Sequence, residues 1–318
     1  MEPLTLPRGL ILNLITPFDR EGRIDGRGLG RLLDRTLPYV QGVFIASPFI
    51  GEGRYMDPGL REELLAKVLV VVRSKVPVLA WITQAEEKGT LETLRGFEKQ
   101  LVSRRYDGHV YWVDAPLYYH SNRGLPDHYR ELVSHAKRPF ILLNDPALPQ
   151  ELGKPLKRNN IRTAILKELG NIPEIKGLIF LGSLDRANNY QRAVKGRTDF
   201  RFYDGDEVRF LSYPSRSGII SAGANLAPRA WRRITFSSLN LIESDRTYPD
   251  QLGQIWEMGD YLRSLLDLYE DRPVPMIKRI LRDMGIIETA AGTPPGEQDL
   301  GDAPGKLREL MERFGDYA

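Results

Sequence analysis

The chain of 318 residues contains no cysteine. That absence excludes disulfide staples, zinc–thiolate sites, iron–sulfur clusters and a cysteine nucleophile. Histidine is scarce, at four residues: His109, His120, His128 and His135. No two of them lie three or four apart, so a helical metal pair is not expected. Neither a metal nor any other cofactor is expected. Lysine is also sparse. Only 12 of the 45 basic residues are lysine, against 33 arginines. No apolar run approaches the ~18 residues that span a membrane. The first run, Leu10–Ile15, is short and broken by Asn13, so no signal peptide is expected and the expected location is cytoplasmic. The net charge is +3, and basic residues alternate with acids, as in Arg61-Glu62-Glu63. Neither a nucleic-acid partner nor a membrane partner is expected.

What is present is alternation. Eight short apolar runs read as strands: Leu10–Ile15, Gly42–Ala46, Pro77–Ile82, His109–Val113, Pro139–Leu143, Ile175–Leu181, Phe200–Tyr203 and Gly218–Ala222. Their mostly apolar content suits strands buried on both faces. The stretches between them have helical spacing. Leu60, Leu64, Leu65, Val68 and Leu69 follow Asp57-Pro58, and Thr90 is placed to cap a helix carrying Leu91, Leu94 and Phe97. Leu125–Ala136 and Ile161–Leu169 read the same way. Strand one ends in Thr16-Pro17-Phe18, without the glycine-rich turn of a dinucleotide fold. The expectation is therefore an α/β (β/α)8 barrel over residues 1–243. A helical extension over 244–287 carries helices at Tyr248–Leu268 and Val274–Met284. A Gly/Pro-rich linker and a short helix, Lys306–Phe314, occupy 288–318.

Most chemical signatures fail. Gly26-x-Gly28-x-Gly30 does not follow a strand and reads as a flexible loop. The sequence around Ser221 lacks the glycine of a nucleophile elbow. Lys176 stands out, lying between Ile175 and the run Gly177–Leu181. Burial disfavours a charged amine, and a neutral lysine is a nucleophile toward carbonyls. The alternative is a strand-edge lysine reaching solvent or pairing with an acid such as Glu174.

These pieces, in order, resemble the dihydrodipicolinate synthase / N-acetylneuraminate lyase family of Schiff-base lyases. The resemblance runs from about residue 8 to 287. It includes Thr16-Pro17-Phe18, Gly51-Glu52, Pro116–Tyr119 with His128-Tyr129, and Pro139–Pro146. It continues through Ile175-Lys176, Gly205-Asp206, Gly218–Ser221 with Ala224-Asn225, and Pro275–Gly285. It implies a lyase or aldolase in which Lys176 attacks a pyruvate-like 2-oxo acid. It also implies substrate contacts from Phe49, Ile50, Gly51, Tyr118, Leu143, Asn144, Gly205 and Ile220, with the carboxylate held on backbone amides. The family usually forms tetramers or dimers.

The departures are as specific as the matches. Pro48, Phe49 and Ile50 replace the family's hydroxyl residues. Leu143 stands where a relay tyrosine belongs, and Gly177–Phe180 replaces the small polar residues after the lysine. Ser47, Tyr118, Tyr203 and Ser221 are the remaining hydroxyls to replace the relay. Dihydrodipicolinate synthesis itself is therefore not expected. The second reading is a barrel without useful turnover, binding a small carboxylate or a protein partner.

Overall fold

A computed structural model describes residues 6–151, 158–241, 250–292 and 300–314. Eight parallel strands close in sequence order into one barrel. They are β1 (Gly9–Asn13), β2 (Gly42–Ile45), β3 (Val78–Trp81), β4 (Val110–Asp114), β5 (Phe140–Asn144), β6 (Ile175–Phe180), β7 (Arg201–Asp204) and β8 (Gly218–Ser221). Each corresponds to one of the eight apolar runs. β8 returns to pair with β1, so no strand edge is left open.

Between the strands run α1 (Gly26–Thr36), α2 (Pro58–Val72), α3 (Glu87–Ser103), α4 (Leu125–Ser134), α5 (Ala147–Glu151), α6 (Thr163–Leu169), α7 (Leu184–Ala193) and α8 (Glu207–Ser212). α9 (Pro228–Ser238) follows β8. Beyond it lie α10 (Asp250–Tyr269), α11 (Pro273–Asp283) and α12 (Ala303–Arg313). Outward strand residues pack against the helices in one large core. Inward ones, among them Ile11, Leu79, Trp81, Tyr111, Ile179 and Tyr203, fill the barrel in a second cluster.

Two local expectations are corrected. The glycines at 26, 28 and 30 are helical, not a loop. Asp25 caps α1 by accepting from the Gly28 amide at 2.8 Å, and a Cβ at residue 28 would sit 2.1 Å from an Asp25 carboxylate oxygen. Thr90 is not the cap of α3, which starts three residues earlier at Glu87. Its hydroxyl instead accepts from the Gln84 amide at 2.9 Å. The centre of the Gly/Pro-rich stretch, 293–299, lies outside the described residues, as do 248 and 249 ahead of α10. Its start, however, is docked on the barrel. The Glu288 amide donates to Asp25, the Thr289 hydroxyl donates to the Phe18 carbonyl, and the Ala291 carbonyl accepts from Lys278. No described helix is long and apolar enough to cross a membrane.

Candidate functional site

In a parallel barrel all strands point the same way, and the loops at their carboxyl ends surround a common mouth. Here that mouth holds a cavity of about 320 Å³. Phe44, Phe49, Ile50, Leu143, Ile179 and Ile220 contribute to its apolar wall. Its polar rim includes Asn13, Ser47, Asp145, Asp206 and Glu207, with Tyr269 at the end of α10 and Glu270 just after it.

The loop after β2 is built for close approach. Ala46 adopts φ 49°, and Gly53 passes so near that a Cβ there would lie 1.8 Å from the Ala46 carbonyl oxygen. The Ser47 hydroxyl donates to Asn13 Oδ1 at 2.5 Å and accepts from the Gly51 amide at 2.8 Å. Arg61 of α2, fully buried, donates to the carbonyls of Gly53 and Thr83 and lies over the Trp81 ring. The Phe49 and Ile50 amides have no acceptor among the described residues. Two adjacent free amides at the lip of a cavity are a carboxylate-binding feature.

The acids around the rim have different surroundings. Asp145 is buried and accepts from the Ala147 amide at 2.9 Å. Burial raises its pKa above the usual aspartate value. Asp206 caps α8 through the Arg209 amide at 2.9 Å. Glu207 accepts from the Ser221 hydroxyl, from the Gly223 amide at 2.9 Å and from the Tyr269 hydroxyl at 2.9 Å. Loss of hydration around its carboxyl raises its pKa, against the pull of those three donors. Among the described residues, neither lysine nor arginine lines the cavity.

Five of the eight expected contact residues line the cavity: Phe49, Ile50, Leu143, Gly205 and Ile220. Gly51 is in the same loop, but its amide is already bound by Ser47. Tyr118 packs edge-on against Trp81, centroids 6.3 Å apart, and does not line the cavity. Asn144 follows Leu143 on β5 and so points to the opposite face. It accepts from the Ile161 amide at 2.8 Å and donates to Asn160 at 2.9 Å, holding the segment before α6.

Lys176 is a correction of larger consequence. It is the second residue of β6, at the amino end of the barrel, where the pairing with β5 skips one residue. Phe140 pairs with Ile175 and Ile141 with Gly177, so Lys176 sits in a bulge. Its Nζ donates to Asp199 Oδ2 at 2.9 Å, and Arg197 bonds the same carboxylate. Arg197 first, then Lys176, holds the Asp199 carboxyl well below the usual aspartate range. The acid Lys176 pairs with is thus Asp199 and not Glu174. The inward position of β6 at the cavity is Ile179, roughly 10 Å further along the strand. The four hydroxyls also part company. Ser47 lines the cavity, Ser221 is bound to Glu207, and the Tyr203 hydroxyl donates to the Pro7 carbonyl ahead of β1.

The reading from sequence missed Asn13, Asp145, Asp206, Glu207 and Ile179. Asp206-Glu207 beside Gly205 carried a usable signal, an acid capping a short helix after a strand. Ile179 carried none, because an isoleucine inside an apolar strand looks like core.

The fold and site define a (β/α)8 barrel with a small, largely apolar cavity at the carboxyl ends of its strands. The family model of the dihydrodipicolinate synthetase family matches residues 6–294, and the chain belongs to that family. It is 25% identical over 289 residues to a 4-hydroxy-tetrahydrodipicolinate synthase of Pseudomonas syringae, covering 90% of this chain and 91% of the relative. It is 29% identical over 233 residues to the enzyme of that name from Xylella fastidiosa, covering 71% of each. Among solved structures, dihydrodipicolinate synthase of Thermotoga maritima matches with a TM-score of 0.77 at 21% identity, covering 98% of this chain and 99% of that one. The Aquifex aeolicus protein matches with 0.76 at 19%, covering 97% and 98%. At such identities the structural likeness concerns the fold.

Proposed function

We propose that this chain is a ligand-binding barrel of its family, taking a small carboxylate with an apolar body, and that it forms no imine through Lys176. The observation that carries the reading is Ile179. An imine needs an amine within bonding reach of the bound ketone. The inward position of β6 at the cavity offers a hydrocarbon, and Lys176 is engaged in an ion pair at the other end of the strand. The Phe49 and Ile50 amides supply donors for a carboxylate, and the Phe44, Leu143, Ile179 and Ile220 walls favour an apolar remainder.

The test is reductive trapping. The protein is incubated with pyruvate and borohydride, then with a panel of 2-oxo acids, and digested for mass spectrometry. The expected result is no reduced adduct on any lysine, alongside saturable binding of a small carboxylate by calorimetry. A stoichiometric adduct at a lysine overturns the reading and returns the chain to the Schiff-base lyases. The dimer or tetramer implied by the family resemblance belongs to the same proposal, and sedimentation velocity tests it.

A further inference from the structure

Away from the cavity, beyond the carboxyl ends of β3 and β4, a glutamate meets two histidines more than thirty residues further along the chain. Glu87 opens α3, His120 follows the turn after β4, and His128 lies in α4. One ligand atom from each lies within 4.8 Å of the others. His128 Nδ1 is 3.2 Å from Glu87 Oε1. The His120 and His128 rings stack, with centroids 4.8 Å apart and planes at 17°.

The surrounding hydrogen bonds decide which ring nitrogens carry hydrogen. The fully buried Asp114 carboxylate accepts from the hydroxyls of Thr83 at 2.6 Å, Tyr129 at 2.6 Å and Tyr119 at 2.9 Å. Tyr119 has one hydroxyl hydrogen, and Asp114 takes it. The Tyr119 oxygen therefore accepts from His128 Nε2, 3.0 Å away. In a neutral ring this leaves Nδ1 as a lone pair facing Glu87, which is itself only an acceptor. On the other ring, His120 Nδ1 is 2.7 Å from the Ser121 carbonyl oxygen. A carbonyl only accepts, so Nδ1 carries the hydrogen and Nε2 is the lone pair. Two imidazole lone pairs and a carboxylate thus share one small volume. The second nitrogen of each imidazole is tied back, one through Tyr119 to a carboxylate, the other to a carbonyl. This is how metal-binding histidines are oriented.

We propose that Glu87, His120 and His128 form a site for a divalent transition-metal ion of the Zn²⁺ type, with water completing the coordination. Imidazole nitrogen with carboxylate oxygen suits zinc and its neighbours better than calcium or magnesium. Zn²⁺ ligand bonds near 2.05 Å set tetrahedral ligand separations of about 3.3 Å, close to the Glu87–His128 spacing. His128, with 7% of its side chain exposed, is the fixed floor of the site, and Glu87, 58% exposed, is its open side. His120 is partly exposed, and completing the set would require its ring to tilt out of the stack on His128.

The test uses the full chain after chelator treatment, titrated with Zn²⁺ by calorimetry and with Co²⁺ by absorption. One ion per chain is expected, with the visible bands of low-coordinate Co²⁺. Glu87→Gln and His120→Ala sit at the surface and keep the fold, and each should weaken Zn²⁺ binding at least tenfold. Tyr119→Phe keeps all three ligands and should also weaken it by about tenfold. His109→Ala and His135→Ala should leave it unchanged. Absence of stoichiometric binding overturns the proposal. Undiminished binding in Glu87→Gln and His120→Ala overturns it equally.

Discussion

The Tyr269 hydroxyl donates to Glu207 Oε2 at 2.9 Å, joining helix α10 to the mouth of the barrel. Tyr269 is almost fully buried, and Glu207 lines the cavity. Tyr269→Phe removes one of three donors from that carboxyl and should cost about 1–3 kcal/mol in denaturant unfolding. The loss should grow with pH. Glu207 titrates above the usual glutamate value in the folded chain, so the folded state binds more protons than the unfolded one between those two values. Stability therefore falls as pH rises through that window, and removing a donor raises the folded pKa further and widens it.

Lys176→Met should leave carboxylate binding at its wild-type affinity, because the side chain lies at the amino end of the barrel. The pair with Asp199 is 23% and 36% exposed, and Arg197 keeps its own bonds to the same carboxylate. The expected stability loss is below about 1 kcal/mol. A large loss of ligand affinity in this variant would contradict the placement of the site above Ile179.

The barrel was readable from the sequence because strands buried on both faces leave short apolar runs, and helices between them leave a 3.6-residue period. Five of the cavity residues, Phe49, Ile50, Leu143, Gly205 and Ile220, came through the family resemblance, whose ordered motifs set their places along the chain. Lys176 misled because apolar neighbours alone do not reveal a bulge. One skipped residue between β5 and β6 separates a strand-edge lysine from an inward one. The Glu87–His120–His128 cluster was invisible for a different reason. Its members come from two helices and the loop that precedes the second, and only the closing of the barrel brings them together.

Ile179→Lys should introduce the chemistry that the wild-type cavity lacks. The new amine would stand beside Leu143 and Tyr203, the register partners of Ile179 on β5 and β7. Burial among them disfavours the ammonium form and favours a nucleophilic amine. With pyruvate and borohydride, a reduced adduct is expected at residue 179 and not at Lys176. The longer side chain should cost about 1–3 kcal/mol of stability through overpacking. A folded variant that gives no adduct would show that the cavity does not admit a 2-oxo acid in reacting position.

Binding of a carboxylate should weaken as pH rises through the titration of Asp145. Its carboxyl lines the cavity, and burial raises its pKa above the usual aspartate value. Below that pKa the neutral acid tolerates an anion on the Phe49 and Ile50 amides, whereas above it two like charges share a poorly hydrated space. Calorimetric titrations across the acidic range should show the falling affinity, and Asp145→Asn should flatten the profile. A profile with the same slope in wild type and Asp145→Asn would place the ligand away from this acid.

Lys278 and Glu52 form an ion pair with side chains 0% and 3% exposed, linking α11 to the loop that carries Phe49 and Ile50. Lys278 also lies 4.6 Å from the Phe18 ring centroid and donates to the Ala291 carbonyl at 2.8 Å. Removing one partner of such a pair leaves a buried charge uncompensated. Lys278→Met and Glu52→Gln should each lose about 3–5 kcal/mol in denaturant unfolding. The double variant should lose less than the two single losses added together, since it leaves neither charge behind. Because Glu52 directly follows the lip of the cavity, Glu52→Gln should also weaken ligand binding. Additive stability losses in the double variant would mean that the two side chains contribute independently, without an energetic coupling between α11 and the loop.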